Sequence, residues 1–183
     1  EMVGLIIEEN KLRRGLTIAD FGCGSGCIAV ALAKNLLDSK VFAFDISDEA
    51  LEQTKANVAH NDVRVEVIKA NMNDALVLKE QFDIIVSNPP YVRECEKTQM
   101  KANVLDYEPH IALFVPNENP LVFYQHIASI AQSSLKTGGK LYLEINEALG
   151  EETEVLIKNL GYKTEIRKDF RDKYRMLFAT KEF

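Results

Sequence analysis

The sequence has no run of about 18 consecutive apolar residues, the length a membrane-spanning helix needs, so no such helix is expected. It has no signal-peptide pattern at its start, no internal repeat and no low-complexity segment. It also lacks a basic surplus. The 22 Lys and Arg are outnumbered by 28 Asp and Glu, a formal net charge of −6, with a pI near 5.2. A protein that grips duplex nucleic acid displaces counterions with a basic surface, so no direct DNA binding is expected. The longest basic stretch, Lys163 to Lys173, is diluted by Glu165, Asp169 and Asp172. Cysteine is scarce. Cys23, Cys27 and Cys95 make an odd number without a secretory signal, which places the chain in a reducing, cytoplasmic setting. No second Cys or His pair stands at ligand spacing, so small buried thiols are expected and no metal site.

What is present suits one soluble domain over residues 1–183, 46% hydrophobic and 27% charged. The chain opens on Glu1 and enters at once a helical pattern, Met2–Ile7. That opening reads as a fragment whose N-terminal part is missing. Short apolar runs then alternate with longer helical patterns. Strands are predicted at Leu16–Phe21, Lys40–Ile46, Arg64–Ala70, Phe82–Ser87 and Lys140–Ile145. Helices are predicted at Ile28–Leu37, after the N-cap Ser47 with Ala50, Leu51, Thr54 and Val58 on one face, at Pro120–Leu135 with Gly138-Gly139 as its stop, and at Leu149–Leu160. Tyr162–Arg167 and Arg175–Thr180 can close the sheet as an antiparallel pair. The fold class is therefore α/β, a mostly parallel sheet covered on both faces. The gap from Arg93 to Asn119 has no clean period and reads as a functional loop.

Asp20-Phe21-Gly22-Cys23-Gly24-Ser25-Gly26 follows a strand and opens a helix. Glycines let the backbone turn tightly and approach a ligand closely, at the carboxyl edge of the sheet where ligands bind. A dinucleotide fingerprint would want glycine or alanine where Cys27 stands. The spacing G-x-G-x-G after an acid suits S-adenosylmethionine (SAM) better, with Asp20 meeting its amino-acid end. Gly22, Cys23, Gly24, Ser25 and Gly26 would line the cofactor. Asp45, ending the next strand, can accept from both ribose hydroxyls, and Ile46 follows it. Adenine is expected near Asn71 and Met72, where a side-chain carbonyl could accept from its amino group. A glycine turn that only packs a helix, and a polar loop with a buried methionine, are the plainer alternatives.

Asn88-Pro89-Pro90-Tyr91 leaves the fourth strand at the same edge. Two prolines cannot continue a central ladder, and they leave carbonyl oxygens free. If the Asn88 side-chain oxygen and the Pro89 carbonyl each accept one N–H of a planar amide or amine, its lone pair points at the methyl donor. Tyr91 can stack on a planar group. Asn88, Pro89, Pro90 and Tyr91 are thus both the catalytic and the substrate-binding candidates, with Asn88 beside the cofactor as well. A rigid exit from the strand is the structural alternative.

Together these stretches resemble class I SAM-dependent methyltransferases of Rossmann-like fold that modify amide or exocyclic nitrogens. More narrowly, the chain resembles the HemK/PrmC family, which methylates the N5 of a glutamine in peptide chain release factors. Asp45-Ile46-Ser47 with Ala50-Leu51 and Asn57 carries the resemblance. So do Val86–Val92, Asp106-Tyr107-Glu108-Pro109 with Ala112-Leu113, Gly138-Gly139, Leu143–Ile145, Gly161-Tyr162, and Asp169 with Arg175. The resemblance implies a seven-stranded sheet and SAM as cofactor, with S-adenosylhomocysteine as product. It implies a release factor as the protein substrate, bound through its Gly-Gly-Gln loop, and a helical N-terminal domain that docks it. The chain departs from the family at Asn71-Met72 and at Val115–Asn119.

Glu108 is a candidate for shaping the substrate loop, equally a turn beside Pro109. His60 and His126 read as surface residues, and His110 has no required role. The acids of 147–154 read as a solvated helix start. A monomer is expected, with no membrane partner. Two rival readings are a nucleic-acid methyltransferase acting on adenine N6 or guanine N2, and a SAM-binding subunit without catalysis. The first would need a basic groove. The second is disfavoured by an intact Asn88–Tyr91.

Overall fold

The computed structural model describes residues 1–74, 76, 78–99 and 113–182. Helix α1 (Met2–Asn10) leads into β1 (Thr17–Phe21), α2 (Cys27–Asn35), β2 (Lys40–Asp45), α3 (Asp48–His60), β3 (Val65–Lys69) and β4 (Phe82–Ser87). A two-residue strand β5 (Val92–Arg93) precedes a 3-10 turn at Glu94–Gln99, and β6 (Phe114–Val115) pairs with β5. Then come α4 (Val122–Ser134), β7 (Leu135–Glu144), a 3-10 turn at Glu147–Leu149, α5 (Gly150–Lys158), β8 (Tyr162–Lys168) and β9 (Tyr174–Lys181).

Seven strands form one sheet in the order β3-β2-β1-β4-β7-β9-β8. The first five are parallel, and β9 runs antiparallel between β7 and β8. The central strands alternate sides with period two. Phe21, Phe42, Phe44 and Ile85 face a core closed by Tyr124, Ile127 and Ala131 of α4. Ile18, Ala43, Ile84 and Val86 face a second core with Ile6 of α1 and Ala29 and Leu32 of α2. Both faces are buried, which is why these strands read as continuous apolar runs. Among the described residues no helix is long and apolar enough to cross a membrane.

Two expectations need correction. Gly138-Gly139 does not stop a helix. Helix α4 already ends at Ser134, because Leu135 is extended and pairs with Phe82. The glycines lie inside β7, where the register against β4 slips between Phe82 and Ile84. Gly138 is left-handed at φ 75°, and a Cβ on Gly139 would meet the Lys136 carbonyl oxygen at 2.8 Å. The gap from Arg93 onward also holds structure of its own, the β5–β6 pair and the 3-10 turn. A pairing two residues long leaves no periodicity to read. Residues 106–112 of the resemblance, Glu108 and His110 among them, lie outside the described residues.

Candidate active site

The strand order reverses direction at β1 and β4, so their carboxyl ends open a crevice between diverging connections. The glycine loop leaves β1 on one side of it and Asn88–Tyr91 leaves β4 on the other. A buried bond joins the two. Ser87 Oγ donates to the Phe21 carbonyl at 2.6 Å, at the last register pair of the two strands.

The loop is held from beneath. Gly22 and Cys23 N–H both donate to the Phe44 carbonyl, at 2.9 and 3.0 Å. From α3, Thr54 Oγ1 donates to the Gly24 carbonyl at 2.9 Å and Asn57 Nδ2 to the Ser25 carbonyl at 2.8 Å. Gly26 shows why glycine is required. Its φ is 76°, and a Cβ there would sit 2.7 Å from Thr54 Cγ2. Gly24 is also left-handed, with open space where a side chain would be.

Asp45 ends β2 in position to organise this loop. One carboxylate oxygen accepts the Gly24 N–H at 2.8 Å, the other the Ser47 N–H at 3.0 Å. Ile46 beside it is 45% exposed, an unusual place for a branched apolar side chain. Asp20 alternates onto the α2 face and is fully buried. Its Oδ2 accepts the Ala29 N–H at 3.1 Å, while its Oδ1 has no hydrogen-bond partner among the described residues. Burial, aided by the charge of Asp45 and opposed by the Ala29 bond, pushes this carboxyl up to about 7.

Met72 is half-buried, its Cε 3.4 Å from where a Gly22 Cβ would be. Asn71 Oδ1 accepts the Asn73 N–H at 3.0 Å in a local turn. His126 is not a bland surface residue. It is half-buried on α4, and its Nδ1 lies 3.0 Å from the Met72 carbonyl, which makes the ring the donor. The thiol expectation holds only for Cys23, buried beneath Thr54, where burial pushes its pKa up to about 12. Cys27 and Cys95 are exposed. Cys27 opens α2 on its outer side, with Sγ 3.1 Å from Ser25 Oγ.

Across the crevice Asn88 is exposed, and among the described residues no hydrogen bond engages its side chain. Pro89 is buried and Pro90 half-buried. Tyr91 is anchored at its hydroxyl, which donates to Glu144 Oε1 at 2.8 Å. Glu144 and Asn146 come from the end of β7, and sequence reasoning gave Asn146 no role. Their signal is faint, polar residues just past a buried strand. Ser87, Thr54 and Asn57 could be suspected only as polar positions in apolar stripes.

These residues fit SAM. An orphaned buried acid oxygen on Asp20 suits an ammonium. Glycines with no side chain leave room for a backbone-hugging ligand, and exposed Ile46 and half-buried Met72 each offer apolar surface for a purine.

The sheet order and this crevice define the fold as that of a class I SAM-dependent methyltransferase. The chain belongs to the methyltransferase small domain family, whose model matches residues 4–106. A relative from Flavobacterium psychrophilum is 46% identical over 181 residues, covering 97% of this chain and 64% of its own length. Another, from Bacteroides thetaiotaomicron, is 48% identical over 183 residues, with 99% and 65% covered. Both are named release factor glutamine methyltransferase. The chain thus spans 64% and 65% of the length of these two relatives. Among solved structures, a Pyrococcus furiosus methyltransferase is similar in fold, with a TM-score of 0.71 at 22% identity, covering 98% of this chain and 82% of that one.

Proposed function

We propose that this chain methylates the side-chain amide nitrogen of a glutamine in a peptide chain release factor, using SAM. The observation that carries this is the placement of Asn88. Its side chain is exposed and unpaired among the described residues, one hydrogen-bonded strand from the glycine loop. The relatives named for this activity, 46% and 48% identical along nearly the whole chain, support the choice of glutamine.

SAM supplies an electrophilic methyl on a sulfonium. The chain's own residues hold and orient. With SAM bound, Asp45 would accept the ribose hydroxyls, Asp20 would meet the ammonium, and Ile46, Asn71 and Met72 would hold the adenine. Gly22 to Gly26 give the backbone a close approach. An amide nitrogen is a poor nucleophile because its lone pair is delocalised. Asn88 Oδ1 and the Pro89 carbonyl each accept one of its N–H bonds, which keeps the pair directed at the methyl and favours charge build-up on nitrogen. Pro90 stiffens this backbone, and Tyr91, tethered by Glu144, offers a ring to the planar amide. The methylated nitrogen is acidic, so its proton leaves to water and no base is needed. Glu108 is assigned to the substrate side on the resemblance alone.

The test is incubation with labelled SAM and either purified release factor or nucleic acid. Label on a release-factor glutamine is expected; label on nucleic acid alone would overturn the proposal. Asn88→Ala should lower the transfer rate by about 100-fold or more while SAM affinity, read by calorimetry, stays within about twofold. Undiminished transfer in that variant would remove Asn88 from the mechanism.

A further inference from the structure

Asn88, Pro89 and Pro90 present a mechanical problem. Prolines have no N–H, so Pro89 and Pro90 cannot be tied down by backbone donors of their own. Its position depends on packing and on bonds at its flanks. On the upstream flank Ser87 holds the Phe21 carbonyl. On the downstream flank the Tyr91 carbonyl accepts from Asn146 Nδ2 at 2.9 Å.

Asn146 is a hub. It is 7% exposed. The same Nδ2 also donates to Glu96 Oε2 at 2.9 Å, and Oδ1 accepts the Ala148 N–H at 2.9 Å, which fixes which end of the amide faces Tyr91. Its backbone N–H meets the Tyr124 hydroxyl at 3.3 Å. Glu96 is itself held, accepting the Arg93 N–H at 2.9 Å and the Arg93 guanidinium at 3.0 Å. Burial pushes the Glu96 carboxyl up, but the bonds from Arg93 and Asn146 outweigh it and keep it ionised. Both hydrogens of one amide are therefore spoken for, one by the substrate segment and one by a fixed carboxylate.

We propose that Asn146 is a positioning residue for methyl transfer, clamping the Tyr91 carbonyl so that Asn88 and Pro89 stand still relative to the cofactor side. This rests on the reading of Asn88 given above. The plainer role, an N-cap for the 3-10 turn at Glu147–Leu149, uses Oδ1 alone. Asn146→Asp separates the two, since it keeps the cap oxygen and the volume and removes the donor. Its charge would repel Glu96, so the double variant Asn146→Asp with Glu96→Gln serves as the control.

Melting temperature, SAM affinity, kcat on release factor, and hydrogen exchange at the amides of Val92 and Arg93 are measured for each. In both variants exchange should rise and kcat should fall by about 10- to 100-fold, with SAM affinity within about twofold. The double variant should regain the melting temperature but not kcat. Recovery of kcat together with melting temperature, or unchanged exchange at Val92 and Arg93, would overturn the proposal. Should the unaltered protein fail to methylate release factor, the functional reading falls, and the exchange comparison still decides on Asn146.

Discussion

Asp20 faces away from solvent with one oxygen bonded and one bare, an arrangement that costs free energy unless a partner arrives. Burial raises its carboxyl to about 7, against roughly 3.9 in an unfolded chain. The folded protein therefore holds this proton more tightly. The stability so conferred is fully present below about pH 4 and is lost as pH rises towards 7. Each pKa unit corresponds to about 1.4 kcal/mol, so the loss amounts to a few kcal/mol. Thermal melts of the cofactor-free protein from pH 4 to 8 should show this decline, and Asp20→Asn should flatten it. An unchanged slope in the variant would show that another group titrates. SAM, whose ammonium faces the carboxylate on our reading, should bind more tightly as pH rises through 7, and calorimetry would register that gain.

The glycine loop is an element whose shape comes partly from its neighbour. Helix α3 reaches across with Thr54 and Asn57 to hold two of its carbonyls. Gly26→Ala would add a left-handed strain of about 1–2 kcal/mol to a clash with Thr54. The melting temperature should drop by about 5 °C and SAM affinity by at least about tenfold; calorimetry showing normal affinity would mean the loop can shift without losing its ligand. The loop's position was legible in the sequence, because glycines between a strand and a helix have few other uses. Its support was not. Thr54 sat in a stripe with Ala50, Leu51 and Val58, and helical spacing cannot separate a packing threonine from one that bonds a neighbouring loop. His126 escaped for a similar reason, since a bond to the Met72 carbonyl leaves no residue pairing to notice. The strand in front of Gly138-Gly139 was hidden by a rule that usually works, glycine as a helix stop, overridden here by pairing between Leu135 and Phe82.

At the scale of the molecule, carboxylates paired with basic side chains near the end of α1 oppose the behaviour of Asp20. Burial would raise Asp83, but bonds from Lys136 and the Thr17 N–H, with the charges of Lys136 and Arg13, bring it below the usual range. Glu9 behaves likewise, lowered by Lys140, Tyr142 and Arg167 against its burial. Lowered groups stabilise above their unfolded pKa, and that contribution disappears as pH falls through the folded value. With Asp20 acting from the other side, the cofactor-free protein should be most heat-stable near pH 4–5. A maximum above pH 7 would contradict this balance. The parallel core and the closing antiparallel pair were readable from alternating apolar runs, while the two-residue β5–β6 pairing was not. On the proposed reading Asn88–Tyr91 narrows the target only as far as a planar nitrogen, since it is a way of holding N–H bonds and does not specify the molecule that bears them.

The bond from Ser87 to Phe21 joins two separately specified modules. On the reading proposed above, residues 17–73 hold the methyl donor and Asn88–Tyr91 hold the acceptor nitrogen. An engineer seeking a new target can therefore recombine the downstream segment on an untouched donor half, with Ser87 as the splice point.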